Sequence, residues 1–142
     1  MEKVRFMTYA EWAPSLHGSV LMASQQLRRD DPALVTRLVR ALNLGLADMV
    51  RDLDAGIEAV ARIAPGTDRA AEKLRLVTTL RIEMNHPDSR RLGVGDVDDA
   101  RFGESLALMA RGAGLPRVPG LQEVFVRDHL PPPAQRVRMP AI

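Results

Sequence analysis

Cysteine is absent from the 142 residues, which excludes disulfides, thiolate zinc sites and a cysteine nucleophile. Aromatic residues are scarce at 4%, so a core must be aliphatic, built from Leu, Val, Ala and Met. Lysine is nearly missing: of 20 basic residues only Lys3 and Lys73 are lysine, a bias read as one of coding before one of bidentate anion contacts. Charge of a single sign is missing too. The net charge is +2 and both signs alternate along the chain, which fits a solvated surface and argues against a nucleic-acid footprint. No run approaches the roughly 20 apolar residues of a membrane span. Met1-Glu2-Lys3-Val4-Arg5 has no apolar signal-peptide core, so the chain as written is expected to stay where it is made. What remains is a 46% hydrophobic chain of the length of one domain.

Two short stretches, Val4 to Tyr9 and Ser19 to Ser24, have strand-like composition and predict a two-stranded segment within 1–24. Asp31-Pro32 then opens a helix, because the Asp side chain accepts from first-turn amides and Pro at the first helical position forfeits nothing. Val35, Leu38, Val39, Leu42, Leu46, Met49, Val50 and Leu53 recur at three- and four-residue steps as one wide apolar stripe, and Gly45 predicts close approach to another backbone. Asp54 is expected to cap a second helix through Ile57, Val60, Ala61 and Ile63, ended by Pro65-Gly66. A third runs from Thr67-Asp68 to Asn85-His86-Pro87 with Leu74, Val77, Leu80 and Met84 inward. After a loop, Asp88 to Val97, either Asp96 or Asp98 caps a fourth helix that carries Phe102, Leu106, Met109 and Ala110 inward and closes at Gly112 and Gly114. A short element follows from Leu121 to Arg127. The expectation is a single domain over 1–130, a mainly α body (31–130) behind the β segment, with 131–142 a disordered Pro/Arg-rich tail.

Few residues announce chemistry. Gly93-Val94-Gly95 approaches a dinucleotide loop, but Asp98 stands where the third glycine belongs and no strong strand precedes it. Asp96, Asp98 and Asp99 lack the glycine and terminal Glu of a calcium loop, and helix capping accounts for them more simply. His17, His86 and His129 stand too far apart for a zinc pair, and no serine sits in a Gly-x-Ser-x-Gly elbow. No metal, cofactor or catalytic residue is therefore expected. Tyr9, Trp12, Ser15 and His17 form the one cluster with the character of a ligand-binding loop, where aromatic faces stack and polar groups orient. The plainer reading has Tyr9 and Trp12 covering one end of the helical layer.

The loop ending in Gly18, the stretch Ser19 to Ser24 and Asp31-Pro32-Ala33-Leu34-Val35 resemble, in that order, the nitrate/sulfonate/taurine-type substrate-binding proteins of ABC transporters. Arg51-Asp52-Leu53-Asp54-Ala55, Leu92-Gly93-Val94-Gly95-Asp96, Gly114-Leu115-Pro116 and His129-Leu130-Pro131 continue the succession. The resemblance extends to the thiamine-pyrimidine-synthase-like members and covers the C-terminal part of such a protein. It implies part of a type II periplasmic-binding-protein α/β fold, with Tyr9, Trp12 and His17 at the edge of a cleft closed by a missing N-terminal lobe. The implied function is non-catalytic: a domain or fragment of a solute-binding protein for small anionic or heteroaromatic solutes, serving an ABC permease, and periplasmic in location. Part of a pyrimidine-synthase-like enzyme is a further, weaker implication. The alternative is a stand-alone helical interaction or oligomerisation module, cytoplasmic if the chain is a complete product, that covers its open apolar face by homo-oligomerisation.

Overall fold

The computed structural model describes residue 5 and residues 7–139. In chain order its helices are α1 (Tyr9–Trp12), α2 (Gln25–Asp30), α3 (Pro32–Arg51), α4 (Leu53–Ile63), α5 (Arg69–Thr79), α6 (Pro87–Arg91), α7 (Asp99–Gly112) and α8 (Leu121–Val124). A single π-helical turn, Leu80–Met84, extends α5, and a 3-10 turn spans Pro133–Gln135. The chain divides into two compact units. The first joins the N-terminal segment through Met22 to Asp98–Val126, and the second joins Ala23–Val97 to the segment from Arg127 onward.

Among the described residues there is no strand, and 62% of them are helical. The expected two-stranded segment and the α/β fold are therefore corrected to an all-α architecture. Of the first predicted strand, Val4 and Phe6 lie outside the described residues, while Tyr9 begins α1. Of the second, residues 19–23 are irregular and exposed, and Ser24 caps α2, its Oγ accepting from Leu27 N–H at 3.0 Å. The physical reason is that β-propensity reports fit to a pleated neighbour. With no ladder to join, these residues have nothing to make them strands.

Aspartates start the long helices. Asp31 Oδ1 accepts from Leu34 N–H at 2.9 Å, Asp52 Oδ1 from Ala55 N–H at 3.0 Å, Asp68 Oδ1 from Ala70 and Ala71, and Asp98 Oδ1 from Ala100 and Arg101. Each such cap contributes about 1 kcal/mol. Asp52, not Asp54, caps α4, and it also closes α3 by donating its N–H to Asp48 O, so one residue serves two helices. At the far end of α7, Leu115 N–H reaches Ala110 O and Gly114 N–H reaches Arg111 O, a Schellman motif with Gly114 at φ +65°.

In the second unit α3, α4, α5 and the π turn pack each against its sequence neighbour. Glu58 pairs with Arg69 through two hydrogen bonds and Asp54 with Lys73 at 2.6 Å; stepping back four residues on α4 matches stepping forward four on α5, which sets these helices antiparallel. The hydrogen bond from Arg69 holds the Glu58 carboxyl below its usual range. The buried apolar residues of this unit are Val35, Ile57, Ala61, Leu80 and Met139. The expected close approach at Gly45 is not made, since a Cβ there would meet nothing within 4 Å. A close contact lies instead at Gly56, where a Cβ would stand 3.0 Å from the side-chain Cγ of Met49.

The α3 stripe is only half covered. At roughly 100° per residue, Ala41, Leu34, Gly45, Leu38, Met49, Leu42, Val35, Leu46, Val39 and Val50 sweep an arc of roughly 180°. Val35 is buried and Val39, Leu46, Val50 and, between Leu38 and Leu42 in projection but nearer the C-terminal end, Met49 are half-buried, whereas Leu34, Leu38 and Leu42 are 43%, 46% and 51% exposed. Leu80 and Leu74, both expected inward on the third helix, also part ways, at 4% and 70% exposed. Truncating Leu80 to Ala is therefore expected to cost about 2–4 kcal/mol. Leu74→Ala should change stability by no more than about 0.5 kcal/mol; urea denaturation followed by circular dichroism checks the contrast.

Candidate functional site

The predicted ligand cluster lies in the first unit. Tyr9 and Trp12 sit on α1, a single turn closed by Ala13 N–H on Tyr9 O at 2.7 Å, and Leu16 N–H closes a further turn on Ala13 O. The loop is held to α7 by Arg101, whose Nε and Nη2 donate to Pro14 O at 3.2 and 3.0 Å and whose Nη2 donates to Leu16 O at 3.3 Å. His17 presents its ring edge-on to Phe102 with centroids 5.2 Å apart, and Phe102 leans on Phe125 at 5.6 Å. Of the four residues, His17 is thus drawn into an aromatic stack and Ser15 is half-buried, while Tyr9 and Trp12 are 80% and 74% exposed. The two aromatic side chains are mostly open to solvent.

A second, more heavily charged cluster closes the other unit. Asp96 Oδ1 accepts from Arg127 Nε at 2.7 Å and from Val97 N–H at 2.8 Å, while Oδ2 accepts from Arg136 Nη1. Arg136 also donates to Pro131 O and Leu92 O, and Arg127 to Val97 O. The Asp96 and Arg136 side chains are each 9% exposed. Burial pushes the Asp96 carboxyl up, but the hydrogen bond from Arg127, the Val97 amide and the two guanidinium charges outweigh it and leave the group below its ordinary value. Gly93, at φ +83°, completes the clasp, because a Cβ there would stand 2.5 Å from Arg136 Cβ. Val94 N–H donates to Val137 O at 2.8 Å and Met139 is buried, so the segment 131–139, expected to be a disordered tail, is packed. The sequence reading missed Asp96 and Arg136 as partners, and their only signal was an arginine in a proline-rich stretch with a lone aspartate in a glycine-rich loop.

The remaining candidates resolve into structural roles. Asp98 is the α7 cap, and the Gly93-Val94-Gly95 turn receives Arg136, not a phosphate. His86 caps α6, its Nδ1 accepting from Asp88 N–H at 3.1 Å. Thr36 Oγ1 donates to Pro32 O and accordingly accepts from His129 Nδ1 at 2.9 Å. Among the described residues no three acidic or histidine side chains form a group able to hold a metal ion, and no helix is long and apolar enough to cross a membrane. Set against family models, curated proteins and solved structures, the chain matches none.

The Asp96 clasp makes a pH-dependent contribution whose sign is fixed by its depressed carboxyl. It stabilises fully above the unfolded-state value of about 3.9 and fades as pH falls toward the lower folded value. Asp96→Asn removes it at every pH and leaves Arg136 buried without its counter-charge, an expected loss of about 3–5 kcal/mol at pH 7. Urea midpoints measured from pH 7 to pH 3 should fall steeply below pH 4 for the parent chain and run flatter for the variant.

Proposed function

We propose that the chain is a non-catalytic helical interaction module that pairs with a second copy through the open half of α3. The observation that carries this reading is the file of Leu34, Leu38 and Leu42, each about half exposed, with Ala41 and Gly45 beside it to let a second backbone approach. Contiguous exposed apolar surface of this kind marks an interaction face.

The charges beside the file favour a second copy. Arg37 and Asp48 lie on the same edge of it, within roughly 20° of each other around the helix. Antiparallel pairing about an axis near Leu42 sets each Arg37 across from the partner helix's Asp48, because edges of the same kind face one another in that geometry. Covering the exposed halves of six leucines contributes on the order of 6 kcal/mol. That lies toward the lower end of the roughly 4–15 kcal/mol lost in translational and rotational freedom, so this face alone makes a weak pair. The solute-binding reading has no comparable support, since Tyr9 and Trp12 stand open to solvent with no wall to desolvate a ligand.

Light scattering on a sizing column over a range of concentrations tests the proposal. A mass rising toward twice that of the chain is expected, and Leu38→Glu should return it to the monomer with helix content unchanged. A parent chain that stays monomeric throughout overturns it.

A further inference from the structure

We infer that residues 7–17 form an exchangeable arm, seated on α7 of their own chain in the monomer and on α7 of a second copy in the dimer. The arm is fastened toward its C-terminal end. Its attachment to α7 includes the three Arg101 hydrogen bonds to the carbonyls of Pro14 and Leu16 and the edge contact of His17 with Phe102. Toward the N-terminus α1 buries no residue, and Met7, Tyr9 and Trp12 all stand exposed.

The connection on the other side leaves the arm free to choose its seat. Residues 18–23 are all exposed, and among the described residues none of them makes a hydrogen bond. A Cβ at Gly18 would meet nothing within 4 Å. Six such residues reach roughly 20 Å when extended, and water satisfies their backbone equally well in any direction. Docking within one chain and docking on a second copy therefore form the same contacts, which is the condition under which segments are exchanged between protomers. Reciprocal exchange closes a two-fold dimer. Where the two linkers cross, the exposed Val20, Leu21 and Met22 of each gain cover from the other.

This inference rests on the reading of the chain as self-pairing: the arm contacts cancel between monomer and dimer, and the net gain on exchange comes from the cover that Val20, Leu21 and Met22 give one another where the linkers cross. The partner copy then supplies Arg101 to an arm that is not its own.

The absence of cysteine makes the test direct. Nitroxide labels are placed on Glu11→Cys and Glu104→Cys, two exposed positions on the arm and on α7. A chain carrying both, diluted in unlabelled chain at monomer-forming concentration, gives the reference distance. A mixture of the two singly labelled chains, at dimer-forming concentration, is expected to give that same distance. Arg101→Ala, checked for helix content, removes the arm's seat in monomer and dimer alike and should abolish the reference distance in the doubly labelled chain and in the mixture together. A Leu38→Glu-sensitive dimer whose mixture lacks the reference distance overturns exchange and leaves the α3 pairing standing. Absence of any dimer overturns both.

Discussion

The shortage of buried apolar surface governs this molecule. Among the described residues Val35, Ile57, Ala61, Leu80, Ala110 and Met139 are the buried apolar ones, and no large side chain is fully enclosed. Helices of 11 to 20 residues are marginal in water without a packed face. Local devices therefore carry an unusual share of the order: an aspartate at the start of each long helix, ion pairs that set α4 against α5, and a glycine-terminated end to α7. Exposed pairs such as Glu58–Arg69 add little energy but fix register.

A small core also explains why the uncovered half of α3 lies where it does. Met49 of α3 lies close enough to α4 that a Cβ at position 56 would crowd its Cγ at 3.0 Å, whereas a Cβ at Gly45, one helix earlier, would meet nothing within 4 Å. Both positions read alike in the sequence, since a glycine within a helix reports permission for close approach and not its direction. The wide leucine stripe was legible; which part of it the chain could reach was not.

Other elements divide along the same line. Asp31-Pro32 and the stop before Pro87 are local signals, and both stand where the residues place them. The strand expectation failed because a strand is a statement about a neighbour. Asp96 and Asp98 could not be ranked as caps from spacing alone: Asp98 caps, and Asp96 answers guanidinium groups 31 and 40 residues further on. Those partners lay hidden because proline-rich composition describes a segment's own stiffness and says nothing of a distant buried charge. The residue that positions the loop of the candidate ligand residues, Arg101, carries no mark of that role in the sequence.

The clasp also orders events during synthesis. Asp96 emerges from the ribosome well before Arg136, and at 5–20 residues per second the interval between them is roughly 2–8 s. Single helices form in about a microsecond, so α3 to α5 spend that interval formed or fluctuating, with their unit still missing the segment that neutralises its acidic residue. Completion of that unit waits for a piece of chain made after the whole of α7 and α8. A nascent chain halted anywhere between Arg127 and Arg136 carries one counter-charge of the two, and it offers chaperones a half-closed fold.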